Sequence, residues 1–207
     1  MERLPERLMT PARLIFQAAV RAKVPAMLVG GAAVSLNGSR RFTKDLDVNV
    51  ASFHFLTQRS RFGPPALPKE FSVRKVSATR LNVTYMHPLE AIRCDMSTNY
   101  ATVLPSLMPY TRQLGHIRYA ACNLLLADKI RTYGDRWNNG IKLASDLEDI
   151  VFLVGLMMDR GERMPHVLRQ LILTSDVLDS FRTALPESER LLFKSFLADV
   201  GIDMDMP

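Results

Sequence analysis

The amino-acid sequence predicts an α+β protein, with strands and helices mixed through residues 1–115 and a helical subdomain over residues 116–207. Three observations support that prediction. Ala26 to Val29 is a short apolar run that stops at Gly30-Gly31 and gives way to small residues, which predicts strand, turn and helix in quick succession. Asp45-Leu46-Asp47-Val48-Asn49-Val50 alternates polar and apolar with period two, as a half-buried strand does. Beyond residue 116 that alternation gives out and the chain turns helical, up to the apolar run Ile150 to Met158.

In chain order, Thr10-Pro11 predicts a helix start, with Thr10 as N-cap and Pro11 in the first turn. Leu14, Ile15, Ala18, Ala19 and Ala22 then share one helical face, which packs on the sheet before Pro25 ends the helix. Ala32 to Leu36 forms the small-residue helix, and Asn37-Gly38 stops it. Ser52 to Arg61 reads as a helix with Phe53, Leu56 and Phe55 packing inward, and Arg59 to Pro68 as a loop. Strands follow at Phe71 to Val76, Leu81 to Met86 and Ile92 to Met96. In the last of these, Ile92, Cys94 and Met96 face one way and Arg93 and Asp95 the other. Asn99 to Gly115 has two prolines and no period, and reads as a loop lining a cleft. A helix over Asn123 to Arg136 is broken at Asn138-Asn139-Gly140. Ser145-Asp146-Leu147-Glu148 is a capping box opening the next helix, which continues through Met158. Gly161, Pro165 and Pro186 punctuate further helices, and Gly201 to Pro207 is expected to fray.

Composition narrows the function classes. A 207-residue chain that is 47% hydrophobic can fill a core, and it holds no repeat or low-complexity stretch. The net charge of +6 favours anionic partners or solvated basic faces. Cys94 and Cys122 form neither a disulfide framework nor a zinc pattern, and the four histidines have no metal-ligand spacing. The longest apolar run falls short of the ~20 residues that span a bilayer. No membrane partner is expected, and a cytoplasmic, reducing compartment is.

Chemistry concentrates in residues 26–50. Alternate residues of a strand share a face, so Asp45 and Asp47 project side by side while Leu46, Val48 and Val50 point to the core. Two carboxylates that close repel, and Mg²⁺ or Mn²⁺ is the natural offset for an oxygen-rich acidic site. Gly30 and Gly31 let the backbone approach a ligand, and the following helix start suits a phosphate. Triphosphate plus metal is the ligand that fits both halves.

The pattern Gly30-Gly31-x-Ala33, then Gly38-x-x-Arg41-x-Thr43-x-Asp45-Leu46-Asp47, resembles the signature of the polymerase-β-like nucleotidyltransferase superfamily. Within it the chain is most similar to the nucleotidyltransferases of abortive-infection toxin systems. The resemblance implies a mixed β-sheet flanked by helices, followed by a helical subdomain. It implies two Mg²⁺ held by Asp45 and Asp47, with Asp95 as a third carboxylate on a neighbouring strand. It also implies a triphosphate lined by Gly30, Gly31, Ser39 and Arg41, with Arg40 the alternative to Arg41. In the second half Lys129, Arg136 and Lys142-x-x-x-Asp146-x-x-Asp149 match the family's sparser pattern, which makes Lys129 and Lys142 nucleotide contacts. Read by themselves, Lys142 and Asp146 are equally a helix-start ion pair, and Ser145, Asp146 and Asp149 equally a capped N-terminus.

The implied activity is ATP-binding or other NTP-binding chemistry, moving a nucleoside monophosphate to a hydroxyl acceptor with release of pyrophosphate. RNA, protein and small-molecule acceptors all remain open. The alternatives are a catalytically inactive member of the fold that binds a nucleotide or a partner, and a basic nucleic-acid-binding module without chemistry.

Overall fold

The computed structural model describes residues 4–57, 67–135 and 140–204. It divides into two compact units, Met1–Ala120 and Ala121–Pro207. The first is a mixed seven-stranded sheet flanked by helices, as the sequence predicts. Its elements are α1 (Glu6–Arg21), β1 (Ala26–Val29), α2 (Gly30–Leu36), β2 (Leu46–Val50), α3 (His54–Thr57), β3 (Phe71–Lys75), β4 (Arg80–Met86), β5 (Ala91–Ser97), α4 (Leu104–Leu107), β6 (Thr111–Leu114) and β7 (Ile117–Ala120). The strand order is β3-β4-β5-β2-β1-β7-β6. Two neighbouring pairs are parallel, β2 with β5 and β1 with β7, and the others are antiparallel.

Period-two alternation decides the two faces. Leu46 pairs with Cys94, Val48 with Met96, Val83 with Cys94 and Leu81 with Met96, and all six side chains are buried. The core lies on that face. α1 packs against β5 and β7, while α2 packs against β1, β2 and β7. Asn37 ties down the end of α2: its Nδ2 donates to the carbonyls of Ala33 at 2.8 Å and Ala120 at 3.0 Å. Gly38 follows in the left-handed region at φ 110°, so the expected stop signal operates.

Several local expectations are corrected. α1 starts at Glu6, not at Thr10, because Leu8 and Met9 are buried in line with Ala12, Ile15 and Ala19 and extend the apolar stripe by a turn. Pro11 therefore lies inside the helix. In α3 Phe55 is the fully buried ring and Leu56 is half-buried, as is Phe53 just before the helix. The end of that predicted helix and most of the loop after it fall outside the described residues. The stretch 99–115 is not a plain loop. It holds α4, a 3-10 turn at Met108–Tyr110, and β6, which pairs with β7 as a hairpin turning at Gly115 (φ 59°) and His116.

The second unit contains α5 (Cys122–Gly134), α6 (Gly140–Asp159), α7 (His166–Leu171), α8 (Ser175–Ala184) and α9 (Glu187–Asp199). Tyr133, Phe181 and Phe193 meet edge to face in its core. Gly134 lets α5 approach α8 closely, since a Cβ there would lie 2.9 Å from Ser180 Cβ. α6 begins five residues before the predicted capping box, so Ser145 is not its N-cap and Asp146 and Asp149 stand inside the helix. Ile202 and Met204 are buried, so the chain stays packed well into the stretch expected to fray. Arg136, Asn138 and Asn139 lie outside the described residues.

Candidate active site

Asp47 and Asp95 sit on the face of the sheet opposite Leu46, Val48, Cys94 and Met96. Asp47 on β2 is the register partner of Asp95 on β5, so the two carboxylates stand side by side on adjacent parallel strands. Strands lie ~4.8 Å apart, which puts both within reach of one ligand. Asp45 precedes β2, and Thr43 Oγ1 lies 3.4 Å from its Oδ1 and 3.3 Å from its carbonyl oxygen. All three aspartates are half-buried.

Gly30 is required here on steric grounds. Its φ is 62°, and a Cβ at that position would lie 2.1 Å from Asp47 Oδ2. The Asp47 carboxylate thus occupies the space a side chain would fill. At Gly31 a Cβ would meet Thr43 Oγ1 at 3.0 Å and Arg41 Nη2 at 3.4 Å, so the Arg41 guanidinium lies over the glycine turn. Ser35 Oγ sits 3.1 Å from both the Gly31 and the Arg41 carbonyl oxygens and donates to one of them. The Arg41 N–H donates to Ser39 Oγ at 3.2 Å. Ser39, Arg40, Arg41, Phe42 and Thr43, with Ser35 and Pro5, line an open cleft of about 220 Å³ beside the turn. Because α2 has only seven residues, its dipole is weak, and the polar groups of this loop offer more to a phosphate than the helix end does.

Sequence reasoning placed Arg93 on the face of Asp95 but missed its role. Arg93 Nε donates to Asp95 Oδ1 at 2.7 Å. That hydrogen bond and the charge of Asp95 raise the Arg93 pKa against the cost of burial, and Asp45 and Asp47 raise it further. On the core side, burial first and then the same three carboxylates push the Cys94 thiol up to about 12. The three acids therefore act on one small region.

Their donor chemistry, hard oxygens on neighbouring strands, fits a divalent cation. The side chains as placed do not close on a single point: among the described residues no three His, Cys, Asp or Glu side chains gather closely enough to hold a metal. Asp95 Oδ1 is engaged by Arg93, which competes with a cation for that oxygen.

The two lysines lie in the second unit. Lys129 Nζ is 2.6 Å from Asp146 Oδ1 and 2.6 Å from Asp149 Oδ2, with all three side chains at most 6% exposed. Its ammonium is thereby engaged inside the helical unit. Lys142 is exposed on the first turn of α6.

The fold recurs in solved structures. An antigenic nucleotidyltransferase-like protein from Paracoccidioides brasiliensis superposes with a TM-score of 0.65 at 17% sequence identity, over 97% of this chain and 96% of its own. JHP933 from Helicobacter pylori superposes with a TM-score of 0.53 at 19% identity, over 96% of this chain and 79% of its own. No family model and no curated protein matches the chain in sequence. At these identities the likeness speaks for the fold, which is nucleotidyltransferase-like.

Proposed function

We propose that the chain is a metal-dependent nucleotidyltransferase, moving a nucleoside monophosphate from an NTP to an acceptor hydroxyl and releasing pyrophosphate. The observation that supports this most is the pairing of Asp47 with Asp95 beside a glycine that must lack a side chain to admit the Asp47 carboxylate. Kinship with the abortive-infection enzymes rests on the Gly-Gly and Asp-x-Asp pattern alone.

Asp45 and Asp47 would hold Mg²⁺ or Mn²⁺, with Asp95 added once Arg93 lets go. The chemistry such a cation supplies when bound is neutralisation of phosphate charge and a lowered pKa for the attacking hydroxyl. Thr43 fixes Asp45, and Gly30 leaves room for Asp47. Arg41 and Ser39 would take phosphate oxygens of the triphosphate in the adjacent cleft. The Asp95 carboxylate, freed from Arg93, would accept the acceptor's proton. Of the two lysines we keep the exposed Lys142 as a nucleotide contact and assign Lys129 to the interior of the helical unit.

The test is pyrophosphate release from each NTP with Mg²⁺ or Mn²⁺ in the presence of a cell extract, with the label followed into its acceptor. Asp47→Asn should lower turnover about 10²–10³-fold, the scale of removing one group that stabilises transition-state charge, with the thermal melt unchanged. Unchanged turnover would refute the assignment. The Arg93–Asp95 contact favours one second reading, a nucleotide-binding member of the fold without turnover. It predicts NTP binding by calorimetry with no pyrophosphate released under any condition.

A further inference from the structure

The strand register carries the acidic face well past the aspartates. Paired residues of a sheet project to the same side. One row runs from Asp47 through Asp95 on β5 and Asn82 on β4 to Arg74 on the edge strand β3. The row on one side of it runs from Arg93 through Thr84 to Ser72. The row on the other runs from Asn49 through Ser97 to Arg80. Every residue in these rows is polar, and each row contains one arginine. Arg74, Arg80 and Arg93 are all exposed. The side chains of Arg74 and Arg80 make no hydrogen bond or ion pair among the described residues. Neither β3 nor β4 has an acidic residue.

We propose that this face of β3, β4 and β5 is a docking strip for a single-stranded polynucleotide, which it leads to the aspartates with a terminal hydroxyl foremost. The proposal rests on the nucleotidyltransferase reading of the aspartates and narrows its acceptor. Charge complementarity selects the occupant: cations spaced along a polar shelf suit repeated phosphates, while Asn82, Thr84, Ser72 and Ser97 offer hydrogen bonds to sugars and bases. Arg74 lies three strand spacings from Asp47, roughly 14 Å. A ligand that touches both has to be extended, which favours a chain over a small molecule. The residues of the three rows are polar and offer an inserted protein side chain little apolar contact.

The experiment measures binding of fluorescent uridylate and thymidylate oligomers of about 12 nucleotides, within the range one binding domain covers. Anisotropy is followed across salt for the wild-type chain, Arg74→Gln/Arg80→Gln and Arg74→Glu/Arg80→Glu. NTP binding with Mn²⁺ is measured by calorimetry on the same samples. The glutamine pair should weaken oligomer binding about ten-fold and reduce the salt slope by about 1.4, two lost contacts at ~0.7 each. The glutamate pair should weaken it further, and NTP binding should stay the same. A uridylate preference would identify RNA, and equal binding any single strand. Oligomer binding equal to wild type in both pairs would overturn the proposal and leave the arginines as guards of an exposed edge strand. So would a wild-type chain that binds neither oligomer, or that labels only proteins. Loss of oligomer binding in the pairs, with no NTP binding by any sample, would instead uphold the strip and sink the nucleotidyltransferase reading.

Discussion

Two clusters that bring carboxylates together with a basic side chain are opposite in kind. In the helical unit Asp146 and Asp149 close on Lys129 at 2.6 Å each, nearly sealed from water. In the sheet unit Asp45, Asp47 and Asp95 are half-buried, and Arg93, 61% exposed, engages Asp95 from the rim. The first cluster is closed around its counter-charge and has a structural purpose sufficient to explain it. The second is half-buried, at a surface a ligand can reach. Residue type alone does not separate the two; burial and the state of the counter-charge do.

The sharpest way to break that contrast is to remove each cation in turn. Lys129→Ala removes the ammonium that two buried carboxylates share, and should cost about 3–5 kcal/mol of stability in urea titrations. A small loss would show that water reaches the cluster and that Lys129 is open to a ligand. Gly30→Ala probes the open site from the backbone side. It puts a methyl group at φ 62° against the Asp47 carboxylate, and should cost about 1–2 kcal/mol and displace Asp47, lowering NTP turnover with it.

A pH titration separates the two faces of β5. The Cys94 thiol is pushed up to about 12 from an ordinary 9.0, chiefly by burial. The folded chain keeps that proton where the unfolded chain loses it. Its contribution to stability is therefore whole below pH 9 and is lost as the pH rises toward 12. Between pH 8 and pH 10.5 the wild-type chain should lose more stability than Cys94→Ala, as read by urea midpoints at each pH. The smallest effect belongs to Arg93→Gln. An exposed pair contributes at most about 1 kcal/mol, so its melt should barely move. With Asp95 released, Mn²⁺ should bind more tightly by calorimetry. If it binds no better, Arg93 is not what keeps Asp95 from a metal.

What could be read from the letters follows the range of the forces involved. The period-two strand from Asp45 to Val50 and the Gly30-Gly31 turn are local, and each was predicted within a residue or two of its place. That Asp47 and Asp95 become register partners depends on strand order, which only the resemblance suggested. The hairpin of β6 and β7 was missed because its strands have four residues each and β6 is mostly exposed, leaving little alternation to detect. The one available signal was Gly115 between Leu114 and Ile117, a two-residue turn that needs a positive φ. At Ser145 the local cap pattern pointed the wrong way. The side chains of Asp146 and Asp149 turn inward to Lys129 on a different helix, and no window along the chain contains that partner.

The parallel pairing of β2 with β5 has a consequence for how the protein comes into being. Everything between Val50 and Ala91, including β3 and β4, must be gathered in before those two strands can meet. Such long-range closure is slow and entropically late. A nascent chain that has not yet emerged past Ser97 has the glycine turn and the first two aspartates but no complete centre. Competence would thus switch on with the last stages of folding of the sheet, and turnover would report on the whole of that unit's assembly, not on any one segment of it.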